Sequence, residues 1–256
     1  TLSRSSAASD VYKRQIVTKD GSDTFRGNAT IYGGDFISNK SNLYDNINNI
    51  NPFSTRNLEL NVEGPLVTEK LFYNLTARDI YYQGVFEGQR LFNPQNISYF
   101  DQEDNFNLHR LEIIGDDTLN PGKGDGAFVP MNWNRKTYLQ GKLIYRHSPF
   151  TKLKYTLIND DVSYQDYNRM YRYNPDGNLK RYRYGLTQLL QLNHTFSTKT
   201  FLNAGITHFK KSYQHRTYDR DKWDRYVHPK LLNSQPYSFL TGGTDLSVFS
   251  RETSTS

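Results

Sequence analysis

Cysteine is missing from the whole 256-residue chain, so no disulfide framework and no thiolate metal site can form, and the redox compartment is left open. Long hydrophobic runs are missing as well. A membrane-spanning helix needs about 20 apolar residues, and the longest apolar runs here are only a few residues long. That excludes helices as a way across a bilayer but says nothing of a β-barrel, whose strands of about 10 alternating residues escape a hydropathy scan even at a mean hydropathy of −0.79. Catalytic signatures are lacking too. The six histidines are scattered, no H-E-x-x-H or G-x-S-x-G occurs, and no glycine loop is built to cradle a phosphate. An enzyme reading has no site to stand on, and no metal or cofactor is expected. A large charge of one sign is also absent: 32 basic residues are interleaved with 26 acidic ones for a net +6, a dispersed pattern that argues against nucleic acid as a partner.

What the chain does have is 20 Tyr and 15 Phe, with many Asn and Thr, a composition of strands and loops. Apolar residues recur with a period of two. Leu58, Leu60 and Val62 alternate with Asn57, Glu59, Asn61 and Glu63, and Leu71, Tyr73, Leu75, Ala77 and Tyr81 with Asn74, Thr76 and Arg78. The same pattern returns over 135–146, 152–164, 185–196 and 200–213. Together with 25–33 it predicts about seven strands, and Leu246 and Val248 begin an eighth.

The connections sort themselves by length. Short turns at Gly64–Lys70, His147–Thr151 and Ser197–Lys199 alternate with long segments at 34–56, 83–134, 165–184 and 214–243. A soluble sandwich has no reason to do this, whereas an outer-membrane barrel has short periplasmic turns and long outer loops. The faces agree. The polar side carries Glu59, Glu63, Arg78, Lys142, Arg146 and Lys154, suited to a wet lumen, and the apolar side is thinned by Gly27, Ala29, Gly141, Ala204 and Gly205, a poor dry core but an adequate lipid face. Phe25, Tyr73, Tyr81, Tyr82, Tyr145, Phe196 and Phe201 fall at strand ends, where barrels carry aromatic girdles. The expected fold is all-β, a partial transmembrane antiparallel β-barrel forming an open curved sheet.

Ile16-Val17-Thr18-Lys19-Asp20-Gly21, followed by Phe25-Arg26-Gly27, resembles the junction between plug and barrel in TonB-dependent outer-membrane receptors. Asn51-Pro52-Phe53, Leu58 to Leu66 and Phe72 resemble the second strand, its Gly-Pro turn and the entry to the third. Gly242-Gly243-Thr244-Asp245 resembles a segment preceding a further strand in Bacteroidetes members. The likeness spans roughly residues 16–256, with Gln15 where the family has Asn. It divides the chain into an adaptor-like leader at 1–15, the end of a plug at 16–24 and the N-terminal part of a barrel at 25–256, a segment that reads as cut at both ends. The resemblance implies a plugged barrel of about 22 strands in the cell outer membrane. It further implies energy-coupled uptake of a scarce siderophore, vitamin, glycan or peptide. Outer-membrane lipid and lipopolysaccharide would be partners, as would the TonB–ExbB–ExbD complex, engaged through a part outside this chain. A passive porin or structural barrel and an extracellular carbohydrate-binding β-domain remain the alternatives.

Two constellations invite chemistry without carrying it. Glu59 and Glu63 sit about 13 Å apart along one strand face, beyond glycosidase carboxylate spacing. Asp116, Asp117 and Asp125 have oxygen ligands but not the spacing of a twelve-residue calcium loop. The densest aromatic and basic stretch is Tyr167–Tyr184, and the expected substrate contacts, from outer loops, are Trp133, Tyr167, Tyr171, Arg172, Tyr173, Tyr182 and Tyr184. The same stretch also reads as a hairpin turning at Asn174–Asn178, with its Tyr and Arg residues as cross-strand pairs.

Overall fold

The computed structural model describes residues 22–67, 69–96, 124–226 and 239–255, so the leader and most of the plug remnant lie outside the described residues. The strands are β1 (Arg26–Gly34), β2 (Thr55–Val67), β3 (Leu71–Gln83), β4 (Glu87–Gln89), β5 (Phe128–Pro130), β6 (Trp133–Ser148), β7 (Thr151–Gln165), β8 (Lys180–Ser197), β9 (Thr200–Arg216) and β10 (Phe249–Thr255). Eight of them form one antiparallel sheet in the order β1-β2-β3-β6-β7-β8-β9-β10, while β4 and β5 pair separately inside a long connection. The all-β expectation holds. The sheet is open: β1 and β10 are its edges and do not pair with each other.

Every neighbouring pair in the sheet is antiparallel and close in sequence, so the short turns and long segments alternate as the spacing predicts. Boundaries moved in three places. Gly64 and Pro65 belong to β2 rather than to a turn, and β2 still pairs with β3 as far as Val67 opposite Leu71, with a register irregularity between Pro65 and Val67. Proline is tolerated there because β1 stops pairing at Glu63, so its missing N–H faces no neighbour. Strand β8 starts at Lys180, five residues earlier than the alternation suggests, and the eighth sheet strand runs over Phe249–Thr255, beyond Leu246 and Val248.

Register puts the apolar residues on one face across six strands. Leu75 is opposite Val62 and Gly141, Tyr155 opposite Leu143 and Leu190, and Ile206 opposite Leu190. This face is the exposed one: Leu60 keeps 45% of its surface accessible and Ile206 71%, while on the opposite face Glu63 and Lys142 each keep only 5%. Some apolar residues are buried on the polar face, notably Phe72 and Ile144, with the Arg146 guanidinium 4.0 Å above the Phe72 ring. The cluster of buried apolar side chains among the described residues lies in neither face. It is Met131, Tyr171 and Leu240, in the layer of long connections.

Candidate functional site

The long connections meet at one end of the sheet and interlock. The segment after β7 winds through two short 3-10 turns, Arg169–Tyr171 and Pro175–Gly177, before β8 begins. Arg172 donates to both oxygens of Asp45 in the β1–β2 connection, at 2.8 and 2.6 Å from one nitrogen and 2.9 Å from another. Backbone N–H groups of Leu91 and Phe92 donate to the Tyr173 carbonyl, and that of Leu240 to Met170. Asn174, fully buried, donates to the Gly243 carbonyl at 2.8 Å. A β-carbon at Gly177 would collide with that same carbonyl, so only glycine allows this approach. Arg90 bridges Asp125 and Asp176.

The expected substrate contacts separate into five groups. Tyr171 is buried in the apolar cluster and its phenol is pushed up by burial first and by Asp245 second, so it is a packing residue with no surface to offer. Arg172 and Tyr173 lock loops together, the Tyr173 ring meeting Phe239 edge-on at 4.9 Å. Among the described residues, Tyr167 alone of the loop tyrosines combines exposure, 38%, with a rigid mount, its ring stacked on Phe86 at 4.6 Å. Tyr182 and Tyr184 lie within β8 on the same face as Leu190, above the apolar zone, and the Arg216 guanidinium sits 4.4 Å over the Tyr182 ring. Trp133 opens β6, half-buried between Gln83 and Gln165. The hairpin expected to turn at Asn174–Asn178 is instead a compact loop, because Asn174 and Asn178 turn inward to bond backbone carbonyls; the pairing does continue through Tyr182, opposite Ser163.

Two of the cavities among the described residues went unseen in the sequence. One, of about 260 Å³, lies beside Asp35, Asn46, Glu87 and Phe128, where Glu87 accepts from Asn46 and Gln83 at 2.7 and 2.9 Å. The other, of about 480 Å³, opens on the polar face at Asn28, Asn61, Asn74, Thr76 and Gln140. The signal for the second was present, as the polar phase of alternating strands, but the register that aligns those residues is not local. Among the described residues no group of His, Asp or Glu is arranged to hold a metal ion. Asp116 and Asp117 lie outside them, and Asp125 is engaged by Arg90 and the Ala127 N–H.

The apolar zone on the exposed face is oblique to the ladder. The row that starts at Leu58 on β2 passes through Asp79, Thr137, Asp161 and Tyr184 to Ser212 on β9, six residues beyond Ile206, the last apolar position there. The edge descends through Ala77, Leu139, Leu157 and Leu190, with Leu186 standing above it on β8. Six residues are about 20 Å along a strand, and five strand spacings are about 24 Å across it, so the zone makes an angle of about 40° with the ladder. Its lower end carries exposed Phe25, Tyr145, Phe150, Phe196 and Phe201.

No family model, curated protein or solved structure matches the chain. The class that fold and site define is therefore a mostly antiparallel β-sheet protein with a layered loop cap.

Proposed function

We propose that this chain is part of the wall of an outer-membrane β-barrel, and that the barrel belongs to a TonB-dependent transporter taking up a scarce siderophore, vitamin, glycan or peptide. The observation that carries the first half is the oblique apolar zone on the exposed face. Strands of a membrane barrel tilt by about 35–45° from its axis, so a lipid band level with the membrane must cross the hydrogen-bonded rows at that angle, as about 40° does here. Energetics point the same way. Leu58, Leu60, Leu139, Leu143, Leu153, Leu190, Leu202 and Ile206 are each 38–71% exposed. In water they would forgo on the order of 10 kcal/mol of burial, comparable to the whole net stability of a domain; in lipid they forgo none.

The second half rests on the resemblance at residues 16–33 and 57–83 and on the way the chain enters β1. Asp23, three residues before that strand, accepts from Arg146 on β6 at 2.8 Å, across the polar face of β2 and β3. A domain preceding β1 is thereby led into the lumen side, which suits a plug and does not suit an unplugged porin. In this reading the protein sits in the cell outer membrane, contacts lipid and lipopolysaccharide, works with the TonB–ExbB–ExbD complex and performs no catalysis.

The absence of cysteine makes the test clean. Single cysteines at Leu60, Leu190, Asn61 and Gln191 of the full-length protein are spin-labelled in lipid vesicles. Labels at 60 and 190 should be relaxed by oxygen, and those at 61 and 191 by a water-soluble nickel chelate. A monodisperse, detergent-free folded protein would overturn the membrane assignment in favour of an extracellular carbohydrate-binding domain. Growth on the transported substrate that survives loss of TonB would overturn the transporter in favour of a porin.

A further inference from the structure

The loop cap contains a knot of three segments in which two buried oxygens are left open. Asn174 donates its side-chain amide to the Gly243 carbonyl at 2.8 Å, and the Asp245 N–H donates to the Gly177 carbonyl, also at 2.8 Å, so Thr244 is held between two fastened neighbours. The Gly243 N–H reaches the Pro94 carbonyl at 2.8 Å and brings in the third segment. Packing is close: a β-carbon at Gly242 would lie 2.0 Å from the Asn96 carbonyl oxygen. Asn174 is fully buried and Thr244 is 3% exposed. Asn174 Oδ1 and Thr244 Oγ1 are sealed from solvent and have no hydrogen-bond partner among the described residues. The Gly243 carbonyl takes the amide nitrogen of Asn174, which fixes the open atom as the oxygen.

Open oxygens in a sealed knot are costly unless something fills the gap. A bridging water or a metal cation would fill it, and the surrounding charge separates the two. Asp245 follows Thr244, and Asp176 stands two residues after Asn174. Asp176 shares Arg90 with Asp125, while Asp245 has no ion pair among the described residues, its Oδ1 accepting from the Ser247 N–H at 2.8 Å. Three carboxylates against one guanidinium leave two negative charges around the knot. The other bases of this segment are engaged elsewhere: Arg172 is taken by Asp45, and Arg169 lies over the Phe239 ring. Water is indifferent to that charge, whereas a divalent cation offsets it. Magnesium retains its own waters and needs room for them, which the close approaches at Gly177 and Gly242 deny; calcium accepts irregular sets of neutral and charged oxygens.

We propose that this knot is a calcium seat, in which Asn174 Oδ1 and Thr244 Oγ1 are ligands and the ion fastens the loop cap. An amide and a hydroxyl oxygen serve here in place of the His and carboxylate clusters that the described residues lack. The seat lies wholly in the cap and does not depend on the sheet being a barrel wall.

Hydrogen exchange at the Gly177, Gly243 and Asp245 amides, all bonded within the knot, reports its opening. The full-length protein in detergent micelles is measured in chelator and after addition of calcium, magnesium or potassium. With a Kd of about 1 mM, as in extracellular calcium modules, about 10 mM calcium should slow exchange about tenfold, and magnesium and potassium should not. Thr244→Val keeps the shape of the side chain and removes one ligand oxygen. In chelator its knot should exchange no faster than wild type, because an open buried hydroxyl has been removed; in calcium it should exchange about tenfold faster than wild type. Thr244→Ser should retain the calcium response. A calcium effect missing from wild type, or undiminished in Thr244→Val, would overturn the seat. Faster exchange of Thr244→Val in chelator and calcium alike would also overturn it, in favour of a bridging water. Heat-modifiable gel mobility of the same samples reports the barrel separately, so failure of the seat and failure of the membrane reading are distinguishable.

Discussion

Arg172 illustrates how a residue can look like a ligand contact and prove to be a fastening. Its planar guanidinium meets both oxygens of Asp45, tying the β1–β2 and β7–β8 connections together, a geometry lysine cannot copy. Arg172→Ala should cost about 1–2 kcal/mol, between an exposed and a buried pair. It should also speed proteolysis within 35–54, read by mass spectrometry of limited digests, with Arg172→Lys rescuing little of it. Tyr218 gives a pH signature in the same layer. Burial pushes its phenol up to about 12, with Arg225 opposing and Asp176 reinforcing the shift. Because the folded value is the higher one, its contribution to stability is complete below pH about 10, the ordinary tyrosine value, and is lost as pH rises from there through about 12. The difference in tyrosinate absorbance between wild type and Tyr218→Phe should therefore titrate near 12; titration near 10 would show the phenol to be solvated. Neither role was legible in composition. Tyr167, Tyr171 and Tyr173 are alike in a sequence dense with Tyr and Arg, and only the packing around each separates an exposed ring from a buried one.

Among the elements, strands are the part most legible in the sequence, because side-chain alternation is a local property of extended backbone. The two-residue period over 57–64 and 135–146 marks strands and assigns their faces correctly. The turn at Gly64-Pro65 misleads for a local reason: both residues favour turns, yet β1 ends before reaching Pro65, so the strand loses nothing by continuing. Face assignment yields a sharp test in lipid. Leu190→Arg puts a charge within the apolar zone and should destabilise the micelle-bound fold by about 2–4 kcal/mol, the midplane value for membrane barrels. Gln191→Arg, one residue on and facing the other way, should cost little. Urea unfolding followed by heat-modifiable gel mobility measures both; equal costs would contradict the assignment of faces.

At the scale of the whole molecule, the sheet of this 256-residue chain is open, with β1 and β10 each offering one row of unpaired backbone groups. In the closed barrel of the full-length protein these rows should be paired, so hydrogen exchange in micelles should protect Arg26–Gly34 and Phe249–Thr255 about as well as β6 and β7, each paired on both sides; fast exchange confined to the two edges would contradict the barrel. The sequence by itself determined the strands, their two chemically distinct faces and the alternation of short and long connections, since all of these depend on neighbours a few residues away. The tertiary structure alone decided that the polar face is the buried one, that the apolar zone runs at about 40° to the ladder, that Tyr171 belongs to a core, and that Asn28, Asn74 and Gln140 share a cavity. The physical reason is register: residues 28 and 140 come to line one cavity only when four strands align, and no local preference encodes that alignment.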